Sequence, residues 1–300
     1  MIKHLCFWAC TALSLSAAAQ TAMPQTDIYI LDLAYNNGKF TASNVKPVAN
    51  KNGYENQPYF TPDGEKLYYV AAPAGGKTDV WLYDVRSGKR QQVTKTPKEA
   101  EYSPKAYGQQ GNFTVIRVEE NEKDQHLFEY SEYGKPQRNL LPEQHLVGYY
   151  NFLTPSKVAT FILPEPFTLE LFNIENEART ILTAKVGRCF QYLSRENQIL
   201  YIDKSNTDQF QIKAWDFKTN SSKTIAATLE GEEDFCTMND GSLLMGHKGK
   251  LYRLEWKNNP NASWQKIADL TALGINNFYR LVLSPQNNKL ALVNYTGEKP

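Results

Sequence analysis

The segment Tyr59-Phe60-Thr61-Pro62-Asp63-Gly64-Glu65-Lys66-Leu67-Tyr68-Tyr69-Val70 carries a β-hairpin in its own chemistry. Pro62 presets φ for the first turn position, the Asp63 side chain can bond its own backbone, and Gly64 can enter the left-handed region without a steric cost. An aromatic pair precedes the turn and an apolar run of four follows it, so two short strands are predicted around it. Weaker copies recur down the chain. Tyr102-Ser103-Pro104 leads to Phe113–Ile116, Phe152-Leu153-Thr154-Pro155 to Val158–Ile162, and Tyr192-Leu193-Ser194-Arg195 to Ile199–Ile202. Thr237-Met238-Asn239-Asp240-Gly241 leads to Leu243–Met245, and Val282-Leu283-Ser284-Pro285 to Leu290–Val293. With Pro62 as the marker, the copies fall at 62, 104, 155, 195, 239 and 285. The mean interval of about 45 residues is the length of a four-stranded propeller blade.

A second hairpin lies between consecutive copies. Asp27–Asp32 turns at Asn36-Asn37-Gly38, Asp79–Asp84 at Arg86-Ser87-Gly88, and His126–Tyr130 at Tyr133-Gly134. Leu169–Phe172 turns near Glu175-Asn176, Phe210–Trp215 near Thr219-Asn220, and Lys250–Leu254 returns through Trp264–Ile267. No helical periodicity of eleven residues or more interrupts them. The expected fold is all-β: a six-bladed β-propeller of four-stranded antiparallel blades. The first hairpin is an outer one and the last an inner one, so residues 26–48 are expected to complete the blade formed by 279–293. Pairing of N- and C-terminal strands would close the ring and leave only short, protected edges. A linear solenoid, the competing architecture, would need capping repeats, and neither end resembles one.

Composition agrees with strands and turns: 18 Tyr, 14 Phe and 5 Trp, with 41% hydrophobic residues, enough for a packed core. The 33 basic and 32 acidic residues give a formal net charge of +1, which offers no electrostatic footprint for nucleic acid. Residues 1–19 read as a signal peptide: Lys3, an apolar run from Leu5, and Ala17-Ala18-Ala19 before a cut at Gln20. That run is too short to span a membrane, and a buried first helix has no place in a compact all-β chain. Residues 20–300 then form a single domain expected in the periplasm or outside the cell. Cys189 and Cys236 survive cleavage, and an oxidising compartment invites a disulfide between them. Two buried thiols acting as small hydrophobes are the alternative.

The run Tyr54-Glu55-Asn56-Gln57-Pro58-Tyr59-Phe60-Thr61-Pro62-Asp63-Gly64, followed by Leu67–Val70 and Thr78-Asp79-Val80-Trp81, resembles the Pro-Asp-Gly repeat of TolB-like propellers, a WD-repeat-like group of exported bacterial proteins. Of the other five copies, four lack the Gly and two the Pro. The resemblance implies a six-bladed propeller in the bacterial periplasm that serves as a binding scaffold. It implies no catalytic residue, because the shared motif is a turn and a core.

Loops at one end of a propeller channel favour ligand sites. Aligning the copies on their turns brings Asn56, Gln57, Glu99, Glu101, Tyr149, Tyr150, Arg188, Glu232, Glu233, Asp234, Tyr279 and Arg280 to the expected mouth. Arg suits carboxylates or phosphates, and Tyr offers a flat face to sugars or peptide side chains. The plain alternative is a set of solvated loop charges. The acidic run Glu232–Asp234 lacks calcium-loop spacing, and His126, His145 and His247 lack zinc spacing, so no metal and no other cofactor is expected. A Gly-x-Ser-x-Gly elbow is absent. The expected function is a non-catalytic binding or scaffold propeller that docks an envelope protein, a peptide or a glycan at the mouth. The alternative is a small polysaccharide lyase or hydrolase that works through the mouth carboxylates and arginines.

Overall fold

The computed structural model describes residues 23–36, 39–49, 53–73, 75–108, 111–259 and 261–297. The expected signal peptide, residues 1–19 with its cut before Gln20, lies outside the described residues, as do Asn37 and Gly38 of the first turn.

The described residues form strands and one short 3₁₀ turn, Thr271–Leu273. The strands are β1 (Thr26–Asn36), β2 (Lys39–Pro47), β3 (Gly53–Phe60), β4 (Lys66–Pro73), β5 (Asp79–Asp84), β6 (Arg90–Gln92), β7 (Ala100–Ala106), β8 (Phe113–Val118), β9 (Gln125–Tyr130), β10 (Pro136–Asn139), β11 (Val147–Thr154) and β12 (Lys157–Ile162). They continue through β13 (Thr168–Asn173), β14 (Arg179–Ala184), β15 (Val186–Leu193), β16 (Gln198–Asp203), β17 (Gln211–Asp216), β18 (Ser221–Ala227), β19 (Phe235–Thr237), β20 (Leu243–His247), β21 (Lys250–Leu254), β22 (Gln265–Asp269), β23 (Phe278–Leu283) and β24 (Lys289–Tyr295).

Four antiparallel four-stranded sheets run β7–β10, β11–β14, β15–β18 and β19–β22. The remaining strands join in one eight-stranded sheet, in the order β23-β24-β1-β3-β4-β5-β6, with β2 on β1. Within it, β1 pairs antiparallel with β24, from Thr26 opposite Tyr295 to Asp32 opposite Lys289. A single parallel bridge, Thr26 opposite Tyr54, links β1 to β3. The Thr26 hydroxyl strengthens that bridge by donating to the Glu55 carbonyl oxygen at 2.7 Å.

Period-2 alternation sends successive side chains of each inner pair of strands to opposite neighbours. In β4, Leu67 and Tyr69 pack on Ile28, Ile30 and Val293. Tyr68 and Val70, one residue out of phase, pack on Phe113, Val115 and Tyr130. The same arrangement repeats from β7–β10 onto β11–β14, from there onto β15–β18, and on to β19–β22. Leu244 and Leu251 then meet Leu31, Leu33, Leu290 and Leu292, which returns the packing to the strands at the two chain ends.

The Thr61–Gly64 turn is built as its residues predict. Gly64 has φ +74°, and its N–H donates to the Thr61 carbonyl oxygen at 2.8 Å. Asp63 accepts from the Glu65 N–H at 2.9 Å. A Cβ on Gly64 would meet the Gln286 side-chain oxygen at 2.5 Å, and the same Gln286 amide donates to the Asp63 carbonyl. Gly64→Val is therefore expected to cost about 2 kcal/mol, from left-handed strain plus displacement of Gln286. Chemical denaturation checks this, with Gly64→Asn, which tolerates the conformation, as the milder comparison.

One of the turn copies is not a turn. Tyr102-Ser103-Pro104 lies inside β7, and the true connection to β8 runs through residues 107–112. Ser103 has φ +52° and matches Gln57 at +53°, so Pro104 is the counterpart of Pro58 in β3, not of Pro62. Both residues sit where the pairing register shifts, between Asn56 and Tyr59 and between Tyr102 and Lys105. Such bulges re-aim the side chains that follow them.

Candidate functional site

The first strands of the meanders, β3, β7, β11, β15, β19 and β23, wall a central cavity of about 250 Å³. Lys105, Tyr149, Arg188, Asp234 and Arg280 line it. A second cavity, of about 480 Å³, opens at the end where β3, β7 and β11 begin. Tyr54, Tyr102, Tyr149 and Gln57 line this mouth. Gln57 and Tyr149 border both spaces, so the mouth leads to the channel.

The bulges position the wall. The Gln57 carbonyl oxygen of the side chain accepts from the Ser103 N–H at 2.7 Å, which ties β3 to β7. Asn56 is buried; its amide donates to the Tyr279 hydroxyl at 2.6 Å, and its Oδ1 accepts from Arg280 at 3.0 Å and from the Gln57 N–H at 2.8 Å. The Arg280 guanidinium lies 5.6 Å from the Tyr149 ring centre and 5.9 Å from that of Tyr279, within cation–π range. The Arg188 guanidinium also lies 5.7 Å from the Tyr279 ring centre.

Charge in this wall is organised around Asp234. Arg188 bonds its Oδ2, while Arg280 Nε stands 3.7 Å from Oδ1. Burial pushes the Asp234 carboxyl up, but the two guanidinium groups outweigh it and hold the group below the usual carboxylate range. Glu233, one residue nearer the rim, bridges Arg188 at 2.7 Å and Lys204 at 3.0 Å. Lys105 differs from these cations. Its ammonium donates to the Tyr150 carbonyl oxygen at 2.7 Å rather than to a carboxylate, and it lies 5.2 Å from the Tyr150 ring centre. Burial in the narrow channel lowers its pKa to about 8, with Arg280 adding to the shift and Cys189 opposing it. The central cavity is thus lined by three cations, Lys105, Arg188 and Arg280, and one carboxylate, Asp234, an arrangement that favours an incoming anion.

The structure gathers Asn56, Gln57, Tyr149, Arg188, Glu233, Asp234, Tyr279 and Arg280, and leaves other expected mouth residues elsewhere. Glu101 has no exposed surface: it accepts from Thr94, Thr96 and Tyr130 between two sheets, away from the channel. Tyr150 is a packing residue whose hydroxyl has the Ser103 carbonyl oxygen at 2.7 Å and that of Thr114 at 2.8 Å as acceptors for its one proton, although it also borders the channel. Glu99 lines neither cavity. Glu232 turns to His247, at 3.2 Å. Alignment on Pro104 as a turn misplaced Glu99 and Glu101 and hid Tyr102 and Lys105. The signal that finds them is the shared Pro58 and Pro104.

Cys189 and Cys236 are free thiols, so the disulfide considered from their sequence is not formed. They lie on the adjacent strands β15 and β19 and face different interfaces. Cys189 packs with Phe235, against whose backbone its sulfur makes two 3.3 Å contacts. Cys236, one position further along, points into the opposite cluster with Leu244 and Leu281. Burial raises both thiol pKa values, which makes them poor nucleophiles.

No helix among the described residues is long and apolar enough to cross a membrane. No family model matches the chain, and no curated protein does. Solved structures do. The chain is 12% identical to a putative TolB from Agrobacterium tumefaciens, covering 92% of this chain and 99% of that one at a TM-score of 0.62. It is also 12% identical to TolB from Acinetobacter baumannii, with 91% of this chain and 65% of that one covered at a TM-score of 0.58, so it spans just under two thirds of that protein. An oligogalacturonate lyase in complex with manganese is 13% identical, with 84% and 80% covered at a TM-score of 0.56. At such identities the likeness is one of fold, and the fold is a β-propeller.

Proposed function

We propose that this chain is an exported, non-catalytic binding propeller of the cell envelope, whose mouth receives a peptide segment bearing a carboxylate. The blade count behind this reading is six. The eight-stranded sheet divides at its single parallel bridge into β3–β6 and β23-β24-β1-β2, the latter closed by strands from both chain ends. Residues 20–300 are then one domain. The reading rests above all on Lys105, a channel cation held by a carbonyl oxygen instead of a carboxylate, directly beneath the mouth. Tyr54, Tyr102 and Tyr149 give that mouth flat apolar faces, while Arg280 and Lys105 offer charge at its floor. The same fold carries binding proteins and enzymes alike, so the site and not the fold supports this choice. The rigid ion-paired wall favours it over catalysis, since Asp234 is pinned by two arginines and both thiols are shielded.

Selection of a phage-displayed peptide library on the purified domain tests it, with an oligouronate array alongside. Enriched peptides are expected to carry Asp, Glu or a free C-terminus next to an apolar residue. Lys105→Met and Tyr102→Ala are each expected to weaken the selected peptide at least tenfold. Peptides bound equally well by both variants would move the site elsewhere, and capture of oligouronates without peptides would replace the peptide by a glycan.

A further inference from the structure

His126 and His145 are far apart in the chain, yet the topology brings them together beside Asp124. Asp124 immediately precedes β9 and His126 is its second residue; two positions apart, they share one side of the chain. His145 arrives on the connection that leads into β11. The Gln125 N–H donates to the His145 carbonyl oxygen at 2.8 Å, and Gln125 pairs with Leu146 in an isolated parallel bridge. This zips the two segments side by side. One ligand atom from each of the three side chains lies within 4.8 Å of the others, and the two imidazole ring centres are 4.8 Å apart.

The local hydrogen bonds prepare these atoms for a cation. His126 is 8% exposed, and its Nδ1 stands 3.0 Å from the Gln144 carbonyl oxygen. A carbonyl can only accept, so Nδ1 carries the proton and Nε2 keeps its lone pair. Metal-ligating histidines are oriented by this kind of bond. Asp124 has its Oδ2 held by the Asn121 amide at 2.7 Å, while its Oδ1 faces His145 Nδ1 at 3.8 Å.

We infer that Asp124, His126 and His145 form a binding site for a divalent transition metal of the zinc class, with a fourth position open to water or a ligand oxygen. Two imidazoles and one carboxylate suit zinc and its neighbours and disfavour magnesium or calcium, which seek oxygen. Four-coordinate zinc needs its ligand atoms roughly 3.3 Å apart, given metal–ligand bonds of about 2.0 Å. The closing movement falls on His145, whose side chain is 58% exposed, and on Asp124 at 38%. The cluster stands at the edge of the mouth, which neighbouring Glu122 and Gln125 help to line. It does not depend on the peptide reading of that mouth.

Isothermal titration of the chelator-washed domain with zinc chloride tests the site. One zinc per chain is expected at micromolar affinity or tighter, with no response to magnesium or calcium chloride. His145→Gln is expected to weaken zinc at least tenfold, and its exposed position leaves the fold intact. His126→Gln is expected to do the same, with circular dichroism to confirm folding. His247→Gln, whose imidazole lies beside Glu232, is expected to bind as the parent does. Zinc binding that survives His145→Gln unchanged, or that is lost in His247→Gln, overturns the assignment, as does a parent that binds no more tightly than about 1 mM.

Discussion

A chain lacking residues 20–47 yields no folded monomer. Those residues supply β1 and β2, and β1 provides the partner along the whole outer edge of β24. Their loss also empties two interfaces. Ile28 and Ile30 leave Phe60, Leu67 and Tyr69, while Leu31 and Leu33 leave Leu244 and Leu251. Four nearly fully buried aliphatic side chains are worth roughly 6–12 kcal/mol at about 1.5–3 kcal/mol each. That matches the whole stability of a typical domain, about 5–15 kcal/mol. The truncated chain is therefore expected to run as oligomers or aggregate in light-scattering chromatography and to show no cooperative melt. Adding the missing segment as a synthetic peptide should restore part of the transition, because it binds the folded state alone. A truncated monomer that melts at the parent temperature would refute the closure.

Glu101→Gln flattens the pH dependence of stability and raises the melting temperature at pH 8. Glu101 has no exposed surface, and burial pushes its pKa up to about 7, against the lowering effect of its Thr96 and Thr94 hydrogen bonds. A group whose pKa is raised by folding binds more protons in the folded chain. Its stabilising contribution is complete below the unfolded value near 4.5 and is lost as pH rises through about 7. The interval corresponds to on the order of 3 kcal/mol, or about 5–10 °C in a chain of this size. Glutamine stays neutral across it, and its amide can donate to the Thr94 hydroxyl oxygen much as the protonated acid does. Thermal melts of both proteins from pH 5 to pH 8 measure the difference. Equal slopes would mean that another group carries the dependence.

Much of the architecture is legible in the sequence because hairpin chemistry is local. Pro62-Asp63-Gly64, Ser87-Gly88 and Tyr133-Gly134 announce their turns within a few residues, and Gly64, Gly88 and Gly134 all take positive φ. The site is less legible because a bulge inverts which side chain faces inward without altering composition. Gln57 and Ser103 adopt left-handed backbone in the middle of strands, and neither residue type signals it. Glu101 therefore points between two sheets, while Gln57 lines the central cavity and Asn56 bonds the Arg280 of its wall. Arg188 and Arg280 were visible as charges at strand starts, but their shared partner Asp234 depends on β15, β19 and β23 lying side by side. The His126–His145 approach is longer-range still, set by the β10–β11 connection folding back on β9.

Pairing of β1 with β24 also sets a timetable. Asp27 must wait for Asn294, so a chain that emerges from a ribosome or a translocation pore with its N-terminus leading carries an unsatisfied strand edge until β24 is free. During that interval the edge of β1 is open to a β1 or β24 from another copy, and crowding at the exit favours exchange between molecules over closure within one. Slow emergence therefore gives a chain the greatest exposure to tangling, and yield should respond to the rate at which the final segment is delivered more than to the stability of the finished ring.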